Sequence, residues 1–467
     1  MRGPNHETTR EMDDFQTGGG MNSVSESVAW RPDGWRDRPT TQQPTYDDQA
    51  ELDAALARLA KLPPLVTSWE VDRLRGLIAD AQVGRRFVLQ GGECAESFVD
   101  CVPSVITNRL KVLLQMSLVL EHGLGRPVIR IGRFAGQYAK PRTADTEVID
   151  GVSLPTYRGE MVNGVEFTAT ARRPDPRRLL DGHAHSAMTL NFVRGLIDGG
   201  FADLHHPEYW NLDWVAHSPL EAEYRRRVEA IGESLRFLEA LAGQPLHSFN
   251  RVDFYTSHEA LLLHAETAQT RTVPHKRGWY NLSTHFPWVG MRTLDLAGGH
   301  IEYMRGLRNP VGVKVSPAMR PATLRAVCDA LNPEDEPGKL VLISRLGATG
   351  IAEHLPPLID AVRDRSVLWI SDPMHGNTVS TDLGYKTRPF DSIVSELAQA
   401  FEIHAAHGSI LGGVHLELTG EDVTECTGGA RQLSGSDLAR AYRSNVDPRL
   451  NYEQALELAL KIVSFTK

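Results

Sequence analysis

Eight short apolar runs, with helical stretches between most of them, constrain this chain more than any other feature. They are FVLQGGE (87–93), PVIRIGRF (127–134), RVDFYTSH (251–258), YNLSTH (280–285), VGVKVSP (311–317), LVLISRLG (340–347), VLWISDP (367–373) and GVHLELTG (413–420). Near-continuous apolar runs of this length read as parallel strands buried on both faces. Intervening segments such as VITNRLKVLLQMSLVLEH, TLRAVCDALN and SIVSELAQAFEIHAAHG carry helical periodicity. The alternation implies an α/β fold with a parallel sheet, and eight strands favour a closed (β/α)8 TIM barrel over an open doubly wound sheet. Neither GxGxxG nor GxxxxGKS/T occurs, so the usual dinucleotide and P-loop readings lose support.

The barrel is expected over 87–467. Residues 1–46 mix Gly, Ser, Thr, Pro and Asp without apolar period and read as a flexible leader. Helical patterns at Leu52-Leu56-Leu59 and Val71-Leu74-Leu77-Ile78 make 47–86 an N-terminal helical extension. The long stretch between the second and third runs predicts an outer barrel helix, then a helical insertion at about 200–245, the simplest role for which is structural decoration.

Composition excludes several classes. The 467 residues are 41% hydrophobic and 23% charged, enough for a real core, and the formal net charge is −9. An acidic balance argues against a generic nucleic-acid binder, and no window reaches the ~18 apolar residues of a membrane span. The acid-bearing first thirty residues do not read as a signal peptide, which points to a soluble, cytoplasmic protein. Four scattered cysteines (Cys94, Cys101, Cys328, Cys426), with no CxxC pair, do not make a disulfide framework.

Functional residues of such a barrel sit where strands give way to loops at the C-terminal face. At or just past the run ends stand Glu93-Cys94, Arg133, Lys140, His258, Arg292, Lys314, Arg345, His375 and Glu417. Ionic groups are costly to bury unless paired or ligated, so packing alone does not explain this placement. One subset is a candidate metal set: Cys94, His375 and Glu417, with Asp447 as a fourth ligand and Asp372 and Glu421 as groups that orient them. Thiolate, imidazole and carboxylates suit Mn, Co, Fe or Zn, although the spacing carries little by itself. The bland alternative for Cys94 is an inert buried thiol. The other subset is cationic: Arg133, Lys140, Arg142, Arg292, Lys314 and Arg345, groups suited to small phosphate or carboxylate anions. Together they indicate metal-assisted chemistry on phosphorylated small molecules, without fixing the reaction.

QGGECAESF (90–98), RIGRFAGQYAKPR (130–142), YRGEMVNG (157–164), NPVGVKVSP (309–317), ISRLG (343–347), DPMHGNT (372–378), GYKTR (384–388), GVHLELTGEDVTEC (413–426) and DPRLN (447–451) resemble, in order, the class II (plant-like) 3-deoxy-D-arabino-heptulosonate 7-phosphate (DAHP) synthases. The similarity spans about 50–465. It implies a (β/α)8 enzyme that condenses phosphoenolpyruvate with erythrose 4-phosphate and releases phosphate, the entry step of the shikimate pathway. It makes Cys94, His375, Glu417 and Asp447 the metal ligands, with Mn the first expectation and Co, Fe or Zn the others. Arg133, Met291-Arg292, Lys314 and Arg345 would hold phosphoenolpyruvate, while Lys140, Arg142 and Thr143 would lie towards the aldose phosphate. Lys314 is the candidate for proton transfer beside the ligands Cys94 and His375, and a homo-oligomer, a dimer by default, is expected.

Departures cluster near the substrates. Gly290-Met291-Arg292-Thr293 stands where the family usually has Gly-Glu-Arg-Thr, VGVKVSP replaces a Leu-Gly-Pro ending, and SRLG replaces SRMG. Relatives tend to carry a small polar amide near His183-Ala184-His185, and Val446 stands where some pair a second cysteine with the metal-site one. These departures admit a synthase serving specialised metabolism, and two alternatives follow: a homologous synthase taking a different aldose phosphate, or a non-catalytic regulatory paralogue.

Overall fold

A computed structural model describes residues 30–201 and 252–466, together with six single positions between 221 and 233. The expected insertion at 200–245 and the leader over 1–29 therefore lie outside the described residues, apart from those positions and residues 200–201.

Eight parallel strands close a barrel: β1 (Phe87–Gly92), β2 (Val128–Arg133), β3 (Phe254–Glu259), β4 (Phe286–Val289), β5 (Val311–Val315), β6 (Leu340–Ser344), β7 (Val367–Ser371) and β8 (Leu411–Glu417). Each pairs with its sequence neighbours, and β8 returns to β1. Seven strands fall within or overlap the expected runs. The fourth differs. Tyr280–Asn281 pairs instead with Thr270–Arg271 in a small antiparallel ladder, and the barrel strand is the next segment, FPWV. A proline inside four residues hides that strand from a propensity reading.

Alternation within the strands sorts side chains into layers. In β2, Arg130 turns outward to Ser117 (2.7 Å) and Glu121 (2.9 Å) of α3 (Pro103–Leu124). Ile129 and Ile131 belong to the interior core with Val88, Phe286, Trp288, Val341, Ile343 and Ile370. Two residues beyond Ile131 on the same face comes Arg133, so the register that buries the isoleucines also delivers a guanidinium to the top of the barrel. Gln90, opposite His415 in the β1–β8 register, forms a polar layer just below the site.

The lower end is closed by α2 (Ser68–Gln82), whose Leu74, Ile78 and Ala81 join the same core. Thr67 and Glu70 form a reciprocal cap that fixes where this helix begins. Before it lies α1 (Gln49–Leu59), packed on α4 (Arg177–Asp198). Residues 32–46 depart from the leader expectation. Trp35 is buried and its indole N–H donates to Thr267 (2.8 Å), while Gly299 donates its N–H to the Pro39 carbonyl (2.8 Å). Polar composition concealed this packing because the bonds come from side-chain amides, hydroxyls and backbone rather than an apolar stripe. No helix among the described residues is long and apolar enough to cross a membrane.

Ile78→Ala should destabilise the protein by about 2–5 kcal/mol through an unfilled space beneath the barrel. Urea unfolding measures the loss, and catalysis per folded molecule should be unchanged because the site lies at the opposite end.

Candidate active site

At the C-terminal face, one pocket of about 550 Å3, counting its open mouth, is lined by residues from the end of, or the loop after, each of the eight strands. Register builds its centre. Gly92 is the pairing partner of Arg133 on one side and Glu417 on the other. Its φ of 146° is a glycine conformation, and a Cβ there would stand 2.9 Å from the Arg133 carbonyl oxygen. With no side chain between them, Arg133 donates to Glu417 across β1 at 2.9 Å.

Glu417, fully buried, is shared by three partners. Oε1 also meets His375 Nε2 at 3.1 Å, and Oε2 accepts from Arg388 at 2.6 Å. Burial opposes its ionisation, but His375, Arg388 and Arg133 outweigh burial and hold the carboxyl well below its usual range. His375 follows β7, and its Nδ1 faces Asp372 at 2.7 Å. Asp372 also accepts the backbone N–H groups of Met374 and His375 and the ammonium of Lys314. It thus sets the ring orientation that turns Nε2 towards Glu417.

Cys94 and Asp447 complete this side of the pocket, with Cys94 Sγ 3.7 Å from Asp447 Oδ2. One donor atom from each of Cys94, His375, Glu417 and Asp447 lies within 4.8 Å of the other three. One thiol, one imidazole and two carboxylates converging at that distance fit a divalent transition metal. Burial and then the Glu417 charge push the Cys94 thiol up to about 12, with Lys140 opposing, so its thiolate needs cationic company. Lys140 sits against it, with Nζ 2.6 Å from Cys94 Sγ and 2.5 Å from Asp447.

The loops that carry these donors rest on a buried ionic lattice. Glu93 accepts from Arg109 (2.9 Å) and Arg449 (2.7 Å), and Arg449 also donates to Glu425 (2.7 Å). Cys94 adjoins Glu93, and Asp447 is two residues from Arg449, so this lattice ties one donor loop to the other. Glu421 is not part of it. It binds Arg443 at 2.6 Å, so the expectation that it orients a ligand gives way to Arg388, which bridges Glu417, Thr378 and the Pro448 carbonyl.

Cations crowd against and around the donors. Arg133 lies 5.4 Å over the Trp288 ring and donates to His415 Nε2 (2.9 Å). Burial, reinforced by Lys314 and Arg133, holds His415 well below its normal range and therefore neutral, with Nδ1–H donating to Gln90 (2.7 Å). Arg345 donates to the His375 carbonyl (2.7 Å) and reaches Met291 Sδ at 3.4 Å. Arg292 instead donates to Thr143 (2.9 Å), which turns it towards the Lys140–Thr143 side. His258, expected among the run-end charges, is paired with Glu266 at 2.8 Å behind this pocket. His185 stacks on Phe98 at 4.3 Å and does not line the pocket.

Among the lining residues, Gln137, Glu259, Trp288 and His415 are polar or aromatic groups that the run-end pattern did not single out. Glu259 ends β3 one residue beyond the expected run. Burial raises its carboxyl above the usual range despite Lys314 and His375 nearby. Gly290 makes room for it, since a Cβ there would lie 2.0 Å from its Oε1.

Fold and site together define a (β/α)8 enzyme in which a four-donor metal-type cluster shares one pocket with several Arg and Lys side chains. The class-II DAHP synthetase family model matches residues 30–463. A phospho-2-dehydro-3-deoxyheptonate aldolase of Neurospora crassa is 46% identical over 451 residues, covering 93% of each chain. The enzyme of that name from Streptomyces coelicolor is 45% identical over 430 residues, covering 92% of this chain and 95% of its own. A third, from Mycolicibacterium smegmatis, is 40% identical over 451 residues, covering 95% and 96%. The chain belongs to the class-II DAHP synthetase family, enzymes of the transferase class.

Arg449→Leu leaves Glu93 and Glu425 buried without that cation and should cost about 3–5 kcal/mol of stability, read by denaturant unfolding.

Proposed function

We propose that this protein is a metal-dependent DAHP synthase, condensing phosphoenolpyruvate with erythrose 4-phosphate and water to give the seven-carbon product and phosphate. The observation that carries the reading is the convergence, in one pocket of a class-II chain, of the Cys94-His375-Glu417-Asp447 cluster with Arg133, Lys314 and Arg345. Those four donors would hold the metal, with Mn the first choice and Co, Fe or Zn the others. When bound, it supplies Lewis acidity for the acceptor aldehyde.

Arg133, Lys314 and Arg345 would bind the carboxylate and phosphate of phosphoenolpyruvate, and Met291 would close that side. Lys140, Arg142 and Thr143 would receive the second phosphate, with Arg292 leaning towards them. Holding two anions side by side costs repulsion, which this cationic shell offsets. The enol C3 then attacks the aldehyde carbon, whose oxygen takes a proton. Water adds at C2, loses a proton, and phosphate departs with C–O cleavage. Lys314 is placed to hold or release one of those protons. Burial lowers it to about 8, with Arg133 and Arg345 adding to the fall and Asp372 resisting it.

Met291 favours a second reading, the same chemistry on a different aldose phosphate. Its thioether lines the pocket where relatives usually present a carboxylate. A panel of aldose phosphates assayed against phosphoenolpyruvate separates the two readings. A purely regulatory paralogue is disfavoured by the intact donor cluster.

Consumption of phosphoenolpyruvate should require erythrose 4-phosphate, stop with a chelator and return with Mn. No seven-carbon product under those conditions would sink the assignment. His375→Ala should lower metal affinity at least about 10- to 100-fold by direct titration, with turnover lost in parallel.

Lys314 sets the pH dependence. If its charge binds the substrate anion, kcat/KM for phosphoenolpyruvate should be flat below about pH 8 and fall as Lys314 deprotonates above it. Lys314→Arg should move that limb out of range. Stability runs the other way. Between about 8 and its ordinary 10.5 the unfolded chain holds the proton that the native state has released, so this group's contribution rises with pH across that window.

A further inference from the structure

Three consecutive residues of the N-terminal segment, Thr41-Gln42-Gln43, bond to loops of the active-site face. Gln42 donates its amide N–H to the Arg142 carbonyl (3.0 Å), and its amide oxygen accepts the Arg142 backbone N–H (2.8 Å). One side chain thus satisfies both main-chain groups of Arg142, as a neighbouring strand would. The same oxygen accepts from Arg158 at 3.2 Å. Thr41 donates to the Arg292 carbonyl (3.2 Å). Gln43 grips the next loop, donating to the Leu261 carbonyl (2.7 Å) and accepting from the Leu263 N–H (3.1 Å).

Gln42 has a φ of 64°, a left-handed backbone that a non-glycine residue adopts at a cost. Such a conformation persists where surrounding bonds over-determine it, and here the side-chain pairing with Arg142 does so. The contacts are selective. Arg142 and Arg292 are held through their main chains, and Thr143 is tied to Arg292 by its own hydrogen bond. No bond from this strap reaches Arg133, Lys314 or Arg345. Their partners are Glu417 and His415, Asp372, and the His375 carbonyl with Met291.

We propose that Thr41-Gln42-Gln43 is a positioning strap for the acceptor subsite, with Gln42 fixing the Arg142 main chain so that Arg142, Thr143 and Arg292 stand ready for the aldose phosphate. This rests on the functional reading above. It gives the N-terminal segment a task in substrate discrimination, because shifting the strap alters one subsite and spares the other.

The test is a direct binding measurement on the full-length protein with Mn, in parallel with steady-state kinetics, comparing wild type, Gln42→Ala and Thr41→Val. Gln42→Ala should weaken erythrose 4-phosphate binding and raise its KM roughly tenfold, the loss of two backbone-directed hydrogen bonds. Thr41→Val should act in the same direction and less. Phosphoenolpyruvate affinity, Mn affinity and the thermal midpoint should stay near wild type. Unchanged affinity for erythrose 4-phosphate in Gln42→Ala, or an equal loss for both substrates, would overturn the strap while leaving the synthase reading intact. Wild-type protein that binds phosphoenolpyruvate but not erythrose 4-phosphate would overturn both.

Discussion

One buried carboxylate organises this molecule's working end. Glu417 closes the barrel between β8 and β1, and its two oxygens take Arg133, His375 and Arg388 from three other parts of the chain. A lone carboxylate at that depth would protonate or unfold its surroundings. Two guanidinium groups and an imidazole keep it charged, and each partner is fixed by that duty. Arg133 is pinned at the mouth of the barrel, His375 is aimed at the donor cluster, and Arg388 anchors the loop that carries Asp447 through Pro448. The same electrostatic requirement that lets the residue be buried therefore places the residues around it.

How much of this was legible follows from where each signal resides. Parallel strands buried on both faces must be apolar, so seven were visible as runs, and period-two alternation then dictated that the charges at their ends face one way. β4 escaped because four residues with a proline do not resemble a strand until the neighbouring strands supply its partners. Placement at the run ends and donor chemistry made Cys94, His375 and Glu417, with Asp447, a candidate set, the resemblance made them ligands, and the structure brings them together; spacing alone had little to say, because their proximity is created by barrel closure. Arg388 closed the GYKTR motif without a stated task, and Glu259 carried no local signal at all. Their meaning depends on what stands across the barrel.

The N-terminal segment shows the opposite error. Low apolar content reads as a flexible leader, yet residues 32–46 are held largely by amides, hydroxyls and main chain. Hydrophobic periodicity reports burial of apolar area, and it is blind to a strap whose energy lies in directional bonds to loop backbone. Gln42 is a plain polar residue in sequence. In the structure it occupies the place that a paired strand edge would occupy beside Arg142.

These features share a thermodynamic consequence. Cys94, His375, Glu417 and Asp447 come from the ends or loops of three strands and from a segment past β8, and none is near another in sequence except through the closed barrel. A metal held by that set binds only the folded arrangement, so its binding free energy is also folding free energy. The lattice of Glu93, Arg109, Arg449 and Glu425 works from beneath, tying two donor loops before any metal arrives. Buried ion pairs contribute little net stability over a well-packed apolar core. Their value here lies in geometry, since an apolar lattice would pack as tightly without fixing Cys94 against Asp447. Stability in this barrel comes from its lower, apolar layers, and its upper layers exchange that stability for placed charge.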